Sequence, residues 1–190
     1  MPGQEYFAIA LDGEKRQVDS ISSNPGQCLW SGIVDDDKAA RVIDRLMAPD
    51  MFSGWGIRTL STEAARYHPF SYHNGSIWPH DNSLIVAGMM RYGAKQTANR
   101  VATAVAEAAS MFPSSRLPEL YSGYPRRSGG PVPYPDANAP QAWASGAVVY
   151  FLEALLDVHP AGERLLQEVP REDLGISLTG VPYRGSRRLL

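Results

Sequence analysis

The sequence predicts a mainly α-helical fold, and two observations support that prediction. Four segments place apolar residues at helical spacing, and each is bounded by proline or glycine. The connections over 53–77 and 113–139 are each about twenty-five residues or longer, and loops of that length inside a compact domain usually have a function. Because 190 residues is the size of one ordinary domain, we treat 1–190 as a single domain.

The first predicted elements are a short strand and a helix. Residues from Glu5 to Leu11 alternate aromatic, small and aliphatic side chains before a turn, which predicts a short β-strand near the N-terminus. From Asp35 onward, apolar residues recur every three to four positions behind an acidic first turn, which favours a helix N-terminus. We expect this helix to end before Pro49.

The next two helices are predicted from their boundaries and apolar faces. One begins near Trp78 and Pro79, since proline is accepted in a first helical turn, and ends before Gly93. The other, over 101–112, has the clearest single apolar face and is closed by Pro113.

The fourth helix, over 140–157, is apolar nearly all round, which predicts that it is packed on every side. A shorter amphipathic helix is expected after Pro160, and the tail after Pro170 has weak β-like alternation. Alternating helices and long loops are compatible with a helical toroid.

The composition excludes several classes of function. Eighteen basic and twenty acidic side chains give a net charge of −2 without a basic run, so nucleic acid is not an expected partner. No apolar segment approaches the length of a membrane helix, and the start lacks the pattern of a signal peptide, so we expect a soluble cytoplasmic protein. The single cysteine excludes an internal disulfide, and the histidines lack zinc-site spacing, so we expect no metal and no cofactor.

Two segments carry the residue types that bind sugars, which are flat aromatic faces for the ring and polar groups for its hydroxyls. The candidate substrate-binding residues lie in the first loop, at the following helix start, in the second loop and at the start of the fourth helix. They are Trp55, Arg58, Tyr72, His73, Asn74, Trp78, His80, Asp81, Tyr121 and Trp143. A purely structural interpretation stays open, in which Trp78 is core, Asp81 caps the helix and Asn74 begins a turn.

Three ordered blocks, over 53–61, 72–82 and 117–144, resemble the closing part of the barrel of amylo-α-1,6-glucosidases, the glycogen-debranching type of glycoside hydrolase. The resemblance implies an (α/α)6 toroid whose substrate lies in a funnel of loops. It also implies that Glu119, in a Leu-Pro-Glu-Leu-Tyr context, is the general base of an inverting hydrolysis.

An inverting hydrolase needs a second carboxyl group as the acid. In the family the acid lies on an earlier segment, and nothing before Ser23 is long enough to contain that segment. We therefore expect the chain to be the C-terminal portion of the barrel, about half of it, and to self-associate or to need a chain that supplies the rest. Asp81 and Asp136 are the alternative acids.

Three functions remain open. The first is hydrolysis of an α-glucan or small α-glucoside, the second is carbohydrate binding without turnover, and the third is a structural remnant without a ligand.

Overall fold

The computed structural model describes residues 5–127, 129–157, 181–183 and 186–188. Within them, five α-helices are followed by a two-stranded antiparallel sheet, with a 3₁₀ turn over Pro113–Ser115. The helices are α1 Pro25–Ser31, α2 Asp36–Leu46, α3 Pro79–Arg91, α4 Lys95–Met111 and α5 Ala142–Leu155, and the strands are β1 Val181–Tyr183 and β2 Ser186–Arg188. The prediction of a mainly α-helical fold is confirmed.

Four of these helices were expected from sequence, and α1 was not. Its seven residues are too few to show a clear apolar period. Its boundary signals were nevertheless present, because Pro25 occupies the first turn and Gly32 ends the helix with a left-handed φ of 75°.

Helix α3 is the central element, since α1, α4 and α5 all pack against it. Glycines bring α1 and α3 into close contact. A Cβ on Gly88 would lie 2.6 Å from the backbone nitrogen of Trp30 and 2.7 Å from Cβ of Leu29. A Cβ on Gly26 would likewise meet Ile85. The two helices therefore approach at backbone distance only because these positions lack side chains.

Helix α5 differs from its sequence-based interpretation. The prediction that it is packed on every side is wrong, because only one face is buried, with Ala144, Ala147 and Phe151. The other face leaves Trp143 59% and Val149 55% exposed among the described residues. The cause is that α3 and α4 cover α5 from one direction.

The two long loops are held together by backbone pairing. Isolated antiparallel bridges join Arg58 to Ile77, Ile77 to Tyr121 and Tyr121 to Pro133. The side chain of Arg58 reinforces this layer by donating to the carbonyl of Gly123 at 2.6 Å. Residues far apart in sequence thereby converge beside the N-terminus of α3.

Three smaller expectations can be placed. The segment expected as a strand over 5–11 forms a single bridge, between Leu11 and Gln17. The amphipathic helix expected after Pro160 lies outside the described residues. In the part of the chain that the structure describes, none of the helices combines the length and apolar character needed to span a bilayer.

Candidate functional site

Glu119 is a carboxylate fixed at both oxygens. Tyr72 Oη donates to Oε1 at 2.6 Å, and Asn138 Nδ2 donates to Oε2 at 3.0 Å. The backbone also joins these residues, since the N–H of Glu119 donates to the carbonyl of Asn138 at 2.8 Å. The hydrogen bond from Tyr72, foremost, lowers the pKa of Glu119, so the group is ionised at neutral pH. Only 7% of the residue is exposed.

A row of aromatic rings extends from this carboxylate. Tyr72 contacts Tyr134 and Trp78 edge to face, with ring centroids 5.9 and 4.8 Å apart. Trp78 meets His80 edge to face at 5.3 Å, and His80 stacks on Trp143 at 4.2 Å. The row offers flat apolar faces next to a carboxylate, which is the combination that a sugar ring requires.

His80 lies between Trp78 and Trp143 in this row and is only 5% exposed. Burial lowers its pKa, and the nearby Glu119 charge opposes that effect without reversing it. The imidazole is therefore neutral at pH 7. Its Nδ1 is buried without a hydrogen-bond partner among the described residues. A buried polar atom in that condition is costly unless a ligand or water satisfies it.

Asp81 links α3 to α1. Its Oδ2 accepts from Ser23 Oγ at 2.7 Å, and its Oδ1 accepts from Gln27 Nε2. Burial raises the pKa of Asp81, and these two hydrogen bonds oppose that shift. The alternative that Asp81 caps its own helix is wrong, because α3 has no side-chain cap and the hydrogen bonds of this carboxylate go to Ser23 and to Gln27 of α1.

A cavity of about 480 Å³ opens beside these groups. Its walls combine aromatic, hydroxyl, amide and carboxyl side chains from α1, α3, α5 and the first loop. They include Ser22, Ser23, Gln27, His73, Asn74, Trp78, His80, Asp81 and Trp143. Six of the sequence-predicted site residues therefore share one cavity, with His73 and Asn74 at its exposed side.

Three other predicted site residues lie in the buried layer of the loops. Trp55 is 3% exposed and carries the Arg126 guanidinium 4.2 Å above its ring. Tyr121 is fully buried and donates to the carbonyl of Trp55 at 2.7 Å. Arg58 is 2% exposed, and its described hydrogen bonds go to backbone carbonyls. Their direct role in binding stays a prediction, whereas their contacts support the loops.

Several residues of the candidate site were not predicted from the sequence. Asn138 and Tyr134 lie in the proline-rich loop, where no periodicity indicates which side chains face the site. Ser22 lies just before α1 and Gln27 lies within it, and this helix was not predicted. The Ser23-Asn24-Pro25-Gly26 turn was the available signal. Within the described residues there is no group of histidine, cysteine or carboxylate side chains arranged to hold a metal ion.

A carboxylate held beside a row of aromatic rings is an arrangement that suits a carbohydrate ligand. Residues 6–124 match the model of the mannosylglycerate hydrolase MGH1-like glycoside hydrolase domain, so this chain belongs to that family. No curated protein sequence matches the chain.

Solved structures give the same fold. GH63 mannosylglycerate hydrolase from Thermus thermophilus in complex with glucose is similar, with a TM-score of 0.55 and 17% identity over 73% of this chain and 32% of that chain. Its complex with Tris and D-glycerate has a TM-score of 0.59 and 15% identity over the same shares. Neutral trehalase from Saccharomyces cerevisiae has a TM-score of 0.60 and 15% identity over 80% of this chain and 27% of that chain.

These comparisons confirm the resemblance at the level of the (α/α)6 glycoside hydrolases. The chain spans about a third of the length of the structures it matches. That proportion agrees with a portion of an (α/α)6 toroid rather than a whole one.

Proposed function

We propose that this chain contributes the general-base side of a glycoside hydrolase site, with Glu119 as the base. The observation that carries the proposal is that Tyr72 and Asn138 hold the Glu119 carboxylate ionised, at the end of a row of aromatic rings. A general base needs a fixed orientation and must be unprotonated at neutral pH, and the Glu119 carboxylate meets both requirements.

In the proposed reaction, Glu119 takes a proton from a water molecule as that water attacks the anomeric carbon. The glycosidic oxygen leaves with a proton from a separate acid, which in inverting enzymes lies about 6.5–9.5 Å from the base. We place that acid outside the described residues. Asp81 is less suited because each of its oxygens accepts a hydrogen bond, one from Ser23 and the other from Gln27 of α1.

The proposed substrate is a small α-glucoside or an α-glucan of the kind that debranching enzymes cleave. The three blocks that resemble amylo-α-1,6-glucosidases support this choice. The aromatic row supports it as well, since Trp78 and Trp143 line the cavity and Trp143, which stacks on His80 with one face, remains 59% exposed. In this proposal Trp55, Arg58 and Tyr121 position the loops rather than contact the sugar.

The test uses an aryl α-glucoside, because an activated leaving group needs little protonation. We expect slow cleavage by the chain, and its loss in Glu119→Gln. Glu63→Gln is the control, since Glu63 is an exposed carboxylate on the first loop. For an inverting reaction, ¹H NMR at early times should show the β-anomer as the first sugar released. Unchanged cleavage by Glu119→Gln would refute the assignment of the base.

Carbohydrate binding without turnover is a second candidate, and the hydrogen bonds that occupy both oxygens of Asp81 favour it. It predicts that maltose shifts the indole N–H resonances of Trp78 and Trp143 while no aryl glucoside is cleaved. Turnover that depends on Glu119 would exclude it.

A further inference from the structure

A second cavity, which we call the α4 cavity, lies between α4 and the first long loop. Its volume is about 520 Å³, and its walls come from the polar face of α4, from Phe52 and Gly54, and from Arg126 of the second loop. It shares no lining residue with the cavity beside α1 and α3. Small-molecule sites have volumes of about 300–1,000 Å³, so the α4 cavity can hold a small ligand apart from the candidate site.

Two guanidinium groups line the α4 cavity, and an aromatic ring supports each of them. The guanidinium carbon of Arg100 lies 4.9 Å from the ring centroid of Phe52, and that of Arg126 lies 4.2 Å from the ring centroid of Trp55. A cation over an aromatic face is attracted to it, which restricts the positions that the group adopts. The two groups are therefore partly pre-organised, and less freedom is lost when they bind a ligand.

The two arginines differ in their ion pairing. Arg126 pairs with Glu107, which also lines the α4 cavity. Arg100 has no carboxylate partner in the ranges that the structure describes, and it is exposed, so an incoming anion can reach it. A guanidinium presents five N–H donors and accepts no hydrogen bond. With two arginines and one glutamate the walls have a net positive charge, which favours an anionic ligand.

Neutral donors on α4 narrow the class of anion. Gln96 and Thr103 lie four residues before and three residues after Arg100, so all three side chains share one face of the helix. Both are exposed, and neither side chain has a hydrogen-bond partner among the residues that the structure describes. A carboxylate offers two oxygens to such a group of donors, whereas a phosphate group offers at least three. The donors of the α4 cavity therefore suit a phosphate group best.

We propose that the α4 cavity binds a phosphate group, either the free ion or a monoester of a small molecule. Arg100 binds it through its planar fork of donors, and Gln96 and Thr103 bind the remaining oxygens. Glu107 limits the affinity, because it faces the anion with a like charge and occupies Arg126. This is a binding function apart from the proposed hydrolysis, and none of these side chains contacts Glu119 in the described residues.

The experiment titrates sodium phosphate into the purified chain at constant ionic strength, because exposed charges are screened by salt. ¹H–¹⁵N spectra follow the Nε–H resonances of the arginines. We expect a saturable shift at Arg100, and at least about tenfold weaker binding in Arg100→Gln. Arg127→Gln is the matched control, since it removes the same charge from an exposed arginine that lines a different cavity. It should change the affinity less than about twofold.

Two further variants separate the fork of donors from the charge. Arg100→Lys keeps the charge without the planar fork and should bind phosphate about three- to tenfold more weakly. Glu107→Gln removes the like charge and releases Arg126, so it should bind phosphate at least about threefold more tightly. Glu63→Gln is the control for that change, because Glu63 is exposed and outside the α4 cavity. Equal urea midpoints show that a change in affinity does not come from unfolding.

Glycerol 3-phosphate and acetate complete the set of probes. Tighter binding of glycerol 3-phosphate than of inorganic phosphate would identify a monoester as the ligand, and the reverse order would identify the free ion. Acetate should bind at least about tenfold more weakly than either, because it offers fewer acceptor oxygens. Acetate binding as tight as that of phosphate, no saturable shift with either phosphate, or equal losses in Arg100→Gln and Arg127→Gln would each overturn the proposal.

Discussion

Replacing Gly88 with alanine should destabilise the protein, although alanine is the better helix former. In an open helical position the change from glycine to alanine stabilises by about 0.5–1 kcal/mol. At Gly88 the added Cβ would lie 2.6 Å from the nitrogen of Trp30 and 2.8 Å from the carbonyl carbon of Leu29. Both are backbone atoms, so relief requires movement of α1 as a whole.

The expected magnitude follows from these opposing effects. Overpacking in a well-packed core costs about 1–3 kcal/mol, occasionally more. Because the added Cβ would meet backbone atoms, which cannot rotate away as a side chain can, we expect a cost at the upper end of that range. After the gain in helix propensity, Gly88→Ala should lower the free energy of unfolding by about 1–2 kcal/mol. Displacement of α1 should also weaken the contacts of Ser23 and Gln27 with Asp81.

Gly146→Ala is the matched control, because that glycine is in α5 and a Cβ there would meet nothing within 4 Å. It should raise the free energy of unfolding by about 0.5–1 kcal/mol. Urea denaturation followed by far-ultraviolet circular dichroism measures both variants. If Gly88→Ala proves as stable as Gly146→Ala, the close approach of α1 to α3 does not constrain the fold, and the reasoning fails.

Three further predictions concern single groups. Tyr72→Phe should raise the pKa of Glu119 toward its ordinary value of 4.5, measured by ¹³C carboxyl titration, whereas Tyr134→Phe, which leaves that hydrogen bond intact, should not. Burial holds the folded-state pKa of His80 below the ordinary 6.5, so its contribution to the free energy of unfolding is fully present above pH 6.5 and is lost as the pH falls below that value. In His80→Phe this loss of stability should be smaller, as urea midpoints measured across that pH range would show. The exposed apolar face of α5 should cause self-association in sedimentation experiments, and Val149→Glu should shift the protein toward monomer.

The helices whose apolar residues recur with a clear period were predicted from the sequence, and the elements without such a period were missed. Helix α4 has one continuous apolar face, so residue spacing predicted it over 101–112, although the helix begins six residues earlier, at Lys95. Helix α1 is only seven residues long and is bounded by proline and glycine, and its burial comes from packing on α3. Its contribution to the cavity could therefore not be derived from local pattern.

The candidate site shows the same division. Glu119 was identified because its sequence context resembles a family motif. Trp78, His80 and Asp81 were identified because aromatic and polar side chains are concentrated in their segment. The partners of Glu119 were not identified as partners, because Tyr72 and Asn138 are 47 and 19 residues away along loops without periodicity. Backbone pairing between the loops brings them together, and such pairing depends on tertiary structure.

The first turn of α3 connects the packing of the fold to the candidate site. His80 and Asp81 are adjacent in sequence, yet one stacks on Trp143 of α5 and the other binds Gln27 of α1. Gly88 lies seven to eight residues further along α3, about 10–12 Å at 1.5 Å per residue, and sets the distance between α1 and α3. Gly88→Ala should therefore alter the shape of the cavity although Gly88 does not line it, because α1 and α3 each supply part of the cavity wall. Sugar affinity and the free energy of unfolding should accordingly fall together in Gly88→Ala.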